Sequence, residues 1–173
     1  NASVRWVLVT HNHPDHSPAT VELARVTGAE LLGMRAPEGQ HQDTTFVPDR
    51  ILEDGDRLET SEFVIEAVHT PGHASNHLCF RHEASDCLFT GDHVIDGSTV
   101  VIDPPDGNMK QYIESLRRVR ALGCRALAPG HGEVIRDPER VIDWIIHHRL
   151  EREAKVVVAL QANPNLATRD LVP

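Results

Sequence analysis

Residues 10–16 read Thr10-His11-Asn12-His13-Pro14-Asp15-His16, directly after the apolar run Val7-Leu8-Val9. Three histidines and one aspartate fall within six positions. Side chains on a strand alternate between faces and cannot converge on one point, whereas a tight turn leaving a strand can bring them together. Imidazole and carboxylate are the side chains that zinc takes when thiolate is absent. The sequence therefore predicts a strand that delivers a ligand cluster to its C-terminal end, where open α/β sheets keep their chemistry.

One H-x-H pair is a weak signal, because surface histidines pair by chance. Three further turns repeat the pattern: His69-Thr70-Pro71-Gly72-His73, Phe89-Thr90-Gly91-Asp92-His93 and Pro129-Gly130-His131-Gly132. Each closes a short apolar or β-prone run with a Gly turn that carries a His or an Asp, and four such turns together point to a metal site. The bland alternative is a closed zinc site that only stabilises the fold. Such sites favour thiolates, and no Cys falls within these motifs.

Taken in order from Val7 to His131, the motifs resemble the metallo-β-lactamase-fold hydrolase superfamily. Gly97-Ser98-Thr99-Val100-Val101-Ile102, Pro104-Pro105-Asp106-Gly107 and His147-His148-Arg149-Leu150-Glu151-Arg152-Glu153 look like its β-lactamase-like branch. That branch includes bacterial hydrolases of unassigned substrate and a mitochondrial endoribonuclease. The resemblance implies an α/β fold, the αβ/βα sandwich. It also implies that His11, His13 and His73 hold one zinc, that Asp15, His16 and His131 hold a second, and that Asp92 bridges the two. Asp15 and Asp92 are then the catalytic carboxylates, and Mn2+ or Fe2+ are alternatives to the two Zn2+. Seven ligands are too many for one tetrahedral zinc and suit two sites with open positions. Two metals roughly 3.5–4 Å apart polarise a substrate oxygen and turn the water between them into a bridging hydroxide nucleophile.

The implied function is a dinuclear zinc hydrolase acting on an ester or thioester bond of a small molecule. Two alternatives stay open: a metal-dependent endoribonuclease on single-stranded RNA, and a metal-binding domain without catalysis. True β-lactamases fit poorly, since one subclass needs Cys where Asp92 stands and another lacks a bridging Asp there. Flavo-diiron oxidoreductases replace His13 with Glu. Glyoxalase II shares the ligands but adds a basic glutathione-binding segment not found here, and transfer-RNA maturases carry extra motifs.

Composition narrows the choice. A length of 173 residues suits one domain with a real core. A net charge of −9 argues against a broad polyanion-binding surface, although bound zinc would supply positive charge where a phosphate would sit. No apolar run approaches the roughly 20 residues of a membrane span. Cys79, Cys87 and Cys124 are odd in number and scattered; Cys79 and Cys87, on flanking strand-like runs, read as packed thiols, and a reducing cytoplasm is the simplest compartment. Of the 12 histidines, His41, His77, His82, His147 and His148 read as surface or packing residues. His69 reads as a support or packing residue, and His93 as pocket or packing. Thr10 and Thr70 are expected to brace the turns, and Asp56 to reach a ligand histidine. Arg117, Arg118 and Arg120 read as a solvated face.

Strands are expected at Val4–Val9, buried, and at Glu30–Met34, Phe63–His69, Leu78–Phe80, Cys87–Thr90 and Arg125–Ala128. Helices are expected from Ala19 to Val26, with Ser17 as cap and Gly28 as stop, through Met109, Tyr112, Ile113, Leu116 and Val119, and from Glu139 to about Leu160. Residues 36–45 read as a loop at the mouth of the site. Residues 1–136 are expected to form the metal-binding domain and residues 137–173 a C-terminal helix leading towards a winged-helix-like segment. By the same resemblance the chain is expected to lack part of the N-terminal half and to belong to a longer polypeptide. Oligomeric state stays open.

Overall fold

Alternation along the strands explains the layers. In the computed structural model, which describes residues 3–39, 42–165 and 167, eight strands form two sheets between helices. Strands β1 (Trp6–Leu8), β2 (Glu30–Gly33) and β3 (Arg50–Ile51) pair in parallel in the order β1-β2-β3. Strands β4 (Arg57–Glu59), β5 (Val64–His69), β6 (Leu78–His82), β7 (Cys87–Gly91) and β8 (Ala126–Pro129) form the second sheet in chain order. All its pairs are antiparallel except β7 with β8. Helix α1 (Pro18–Thr27) covers the first sheet; α2 (Met109–Ala121) and α3 (Pro138–Ala162) cover the second.

Successive residues of one strand enter different cores, as a period of two requires. Leu31 packs with Val9, Phe46 and Ala24 under α1, while Leu32 packs with Leu52, Leu58, Leu78 and Phe80 between the sheets. On the second sheet Ala67, Leu78 and Phe80 face the first sheet, while Val68, Cys79 and Leu88 face Tyr112, Leu116, Ile142 and Ile145 of the helices. The architecture is the expected αβ/βα sandwich. Leu78 N–H donates to the Thr10 carbonyl at 2.7 Å, which ties the sheets together next to the first histidine turn.

Several expectations change in detail. The first strand is shorter than Val4–Val9 and only half-buried, and among the described residues its one partner is β2. Ser17 does precede α1, but its hydroxyl donates to Asp43 Oδ2 at 2.6 Å instead of accepting from a helix N–H. Gly28 ends α1 with φ 72°, as a left-handed stop requires. Strands β3 and β4 were not expected. Asp56 reaches no histidine; its Oδ2 accepts from Glu53 N–H at 2.8 Å and closes a turn. Arg117, Arg118 and Arg120 are exposed, the expected solvated face, on which Arg118 pairs with Asp54 and Arg120 with Asp143. The expectation for His41 lies outside the described residues. Among the described residues no helix is long and apolar enough to cross a membrane.

Candidate metal centre

Four strand ends supply the site. The turn after β1 carries His11, His13, Asp15 and His16; the turn after β5 carries His73; Asp92 follows β7 and His131 follows β8. Tight backbone approach makes this convergence feasible. Gly72 has φ 140°, and a Cβ there would lie 2.3 Å from the Tyr112 Cα. A Cβ on Gly130 would sit 2.9 Å from both Asp92 Oδ1 and His16 Cε1, inside the cluster itself.

All seven expected residues come together, in overlapping groups whose donor atoms lie within 4.8 Å of one another: His11, His13 and His73; His11, His16 and Asp92; Asp15, His16 and His131. His13 Nδ1 lies 3.0 Å from His11 Nε2 and 3.0 Å from His73 Nε2. Asp92 stands between the groups, with Oδ2 3.7 Å from His73 Nε2 and Oδ1 3.3 Å from His16 Nε2 and 3.6 Å from His131 Nε2. Asp15 Oδ2 lies 3.3 Å from His131 Nε2.

These groups fit a cation better than they fit one another. His73 Nδ1 donates to the Val101 carbonyl at 2.6 Å, which leaves the Nε2 lone pair facing inward. A proton on His13 Nδ1 serves one of its two 3.0 Å neighbours well; a cation among the three serves all of them. Asp92 Oδ1 and His16 Nε2 are buried, and despite their proximity neither makes an aligned hydrogen bond. Buried polar atoms of this kind call for an explanation, and an ion is one.

The proton affinities favour ligation too. Burial, then the neighbouring charges of His16, His13 and His73, lowers the His11 pKa to about 2. Burial and His73 also lower that of His13. Both rings are thus held in the neutral form that binds metal. Burial works against an ionised Asp92, yet His16 and the other imidazoles hold its pKa below the ordinary carboxylate value. Burial likewise opposes protonation of His16, but Asp92 and Asp15 raise its pKa in the metal-free chain.

The weaker expectations sort themselves by contact. His69 stays out of the cluster, with Nε2 2.9 Å from the Ser75 carbonyl. Thr10 Oγ1 lies 3.1 Å from His11 Nδ1 and braces that ring, not a carboxylate. Thr70 Oγ1 contacts His77 Nδ1 at 2.9 Å, and His77 Nε2 accepts from the Asp92 N–H at 3.3 Å. His77 is therefore a fully buried packing residue that also supports Asp92. His93 packs in the core, its ring centroid 5.3 Å from that of Tyr112.

Sequence reasoning missed a second tier of groups. Asn12, inside the first motif, accepts from Asn76 Nδ2 at 2.8 Å; Gln42 Nε2 donates to Asn76 Oδ1 at 3.1 Å and to Asp106 Oδ2 at 2.6 Å. These amides lace three loops around a cavity of about 350 Å³ beside the cluster. Its walls include Pro14, Val101, Pro104 and Pro105, with Asp15, Asp92, Asp103 and Asp106 beside His13 and His73; among the described residues no Lys or Arg lines it. The basic side chains Lys110, Arg117, Arg149 and Arg152 line a separate groove of about 820 Å³ between α2 and α3, which contains none of the seven residues.

A curated relative, an atrochrysone carboxyl ACP thioesterase of Aspergillus fumigatus, is 34% identical over 158 residues, 91% of this chain and 48% of the relative. A thioesterase of Emericella nidulans is 32% identical over 162 residues, 92% of this chain and 44% of the relative. The chain thus spans about half the length of the curated relatives it matches. Among solved structures, a beta-lactamase domain protein from Burkholderia ambifaria superposes with a TM-score of 0.74 at 26% identity, over 90% of this chain and 58% of that one. The sequence pattern of the metallo-beta-lactamase superfamily matches residues 1–131, and the chain belongs to that superfamily.

Proposed function

We propose that this chain carries the metal centre of a hydrolase that cleaves thioester bonds of small-molecule acyl groups. His11, His13 and His73 would hold one divalent ion and Asp15, His16 and His131 a second, with Asp92, which lies between the two groups, available to both. Zinc is the preferred ion, because the donors are imidazole and carboxylate with no thiolate. The observation that carries this reading is the convergence of seven side chains in three overlapping groups, with Asp92 between them and its buried Oδ1 lacking a hydrogen bond. The thioester assignment draws on the relatives named as thioesterases.

When bound, two adjacent divalent ions supply Lewis acidity and make water a better nucleophile near neutral pH. The chain's own residues do the rest. Asp15, with its side chain 61% exposed, accepts a hydrogen bond from the attacking water and orients it. Asp92 stays ionised and fixes the two ligand groups relative to each other. Pro14, Val101, Pro104 and Pro105 give the acyl group an apolar wall. Water adds across the C–S bond: hydroxyl to the acyl carbon, proton to sulfur, with a carboxylic acid and a free thiol as products.

Cleavage of single-stranded RNA has less support. A strand-binding groove needs cations along its length, and the cavity has none among its lining residues. A reducing compartment such as the cytoplasm suits the free thiols of Cys79, Cys87 and Cys124.

The test is a panel of chromogenic thioester, ester, lactam and phosphodiester substrates, assayed with and without a chelator. The expected result is thioester turnover that a chelator abolishes and zinc restores. Phosphodiester cleavage alone would favour the nuclease, and tight metal binding with no turnover would favour a non-catalytic domain.

A further inference from the structure

The wall of the cavity formed by residues 100–106 is held from behind by α3. Arg149, within α3, donates from Nη2 to the Val100 carbonyl, and its guanidinium carbon lies 5.8 Å from the centroid of the Tyr112 ring. The next carbonyl along the chain, that of Val101, accepts the His73 Nδ1 proton at 2.6 Å. A continuous path of contacts therefore runs from α3 through two consecutive peptide groups to a residue of the candidate metal centre.

The Val101 side chain is 72% exposed and does not anchor its own peptide, although Val100 and Ile102 on either side pack on the core, so Arg149 adds a polar clamp to a segment already held by its neighbours. Arg149 is itself costly where it stands. Its Nε is buried and has no hydrogen-bond partner, and burying an incompletely paired guanidinium disfavours the fold. Packing alone would be served better by an apolar side chain on α3. The ring tautomer and aim of a ligating histidine are set by the partner of its other nitrogen.

We infer that Arg149 is a positioning residue for the metal centre. By clamping the Val100 carbonyl it holds the adjoining Val101 carbonyl in place, and that carbonyl keeps His73 in the Nδ1–H tautomer with Nε2 turned toward His13 and Asp92. The inference rests on the proposed ligand role of His73, and it places an essential contact beyond residues 1–131, the span that matches the superfamily pattern.

The experiment compares R149M, R149K and R149Q with the unaltered chain. R152M, a nearby cation that lines the same groove, is the control. The first readout is made without metal: nitrogen-15 NMR of the His73 imidazole, for tautomer and for exchange of its Nδ1 proton with water. In the unaltered chain and in R152M, His73 is expected as the Nδ1–H tautomer with slow exchange. In R149M exchange should quicken about tenfold or more and the second tautomer should appear. R149K and R149Q each keep a donor and should recover part of the protection. The second readout is zinc affinity by chelator competition, expected to weaken about tenfold in R149M. If R149M lowers the melting temperature while tautomer, exchange and zinc affinity stay unchanged, Arg149 only stabilises the helix packing and the inference is wrong. If R149M does not fold, R149A, which also lacks the donor, decides in its place, and wild-type protection with no loss of zinc affinity there would likewise overturn it. If the unaltered chain binds no zinc, the metal reading fails, while the metal-free NMR comparison still decides whether the clamp exists.

Discussion

Asp92 is the residue on which most of the site turns. Its two oxygens face different histidine groups, and its backbone N–H is held by His77. Asp92→Asn keeps the shape but removes the charge that would offset the proposed ions. Metal content should fall together with turnover, turnover by at least about 100-fold. His69→Ala is the contrasting case. His69 is also a histidine of the Thr70-Pro71-Gly72 turn, but its ring bonds the Ser75 carbonyl away from the cluster. That variant should keep its metal near the wild-type level; metal analysis of both proteins, purified without chelator, checks the pair. At this scale the sequence was informative because the proposed ligands cluster within turns. Asp56 was misjudged, since an acid in a turn can serve its own backbone as readily as a distant ring. The Gln42–Asn76–Asp106 network was invisible because its members are 34 and 64 residues from Gln42 and belong to no motif.

The elements that deliver the proposed ligands are the ones with strong local signals. β5, β7 and β8 are apolar runs that stop at a Gly turn, and α2 shows its buried face through Tyr112, Ile113, Leu116 and Val119. β3 and β4 gave no signal for a physical reason. Arg50 and Ile51 are both exposed, and Leu58 is the one buried residue of β4, so neither segment shows a period. The contact between the β5–β6 turn and α2 makes a prediction at this scale. Gly72→Ala would force a Cβ to within 2.3 Å of the Tyr112 Cα at a backbone φ of 140°. It should destabilise the fold by roughly 3 kcal/mol and weaken metal binding through the displaced His73, as read by denaturant unfolding with and without zinc. Unchanged unfolding would contradict the close packing of this turn on the helix. The cavity walls make another. With Asp103 and Asp106 on the rim and no lining cation, a neutral acyl thioester should be cleaved about tenfold or more better than its ω-carboxylate analogue of equal length. Equal rates would mean that the acyl group lies elsewhere.

Across the whole molecule, buried imidazoles couple folding to pH. Burial first, with neighbouring histidines, lowers the pKa of His11 to about 2 and that of His77 well below its ordinary value of 6.5; burial lowers that of His93 to about 3. Below pH 6.5 the unfolded chain gains protons on these rings that the folded chain refuses, so acid favours unfolding. Their contribution is present above pH 6.5 and is lost as pH falls towards about 3. His16, whose pKa is raised, opposes this trend with a single proton. The metal-free protein should therefore melt progressively lower from pH 7 to 5, by roughly 1.4 kcal/mol per pH unit for each unmatched ring. A constant melting temperature over that range would show that these rings are not held neutral. The layered fold was legible in the sequence because β2, β5, β6 and β7 are apolar runs closed by turn residues, and α2 and α3 begin at Asn108 and Asp137 caps. The central claim is that seven side chains from four strand ends hold two ions. Its most direct test is zinc content at equilibrium, measured by elemental analysis after saturation and removal of free metal. The account predicts close to two zinc ions per chain, falling to one or fewer in Asp92→Asn. A value of one that survives saturation in the unaltered chain would contradict it.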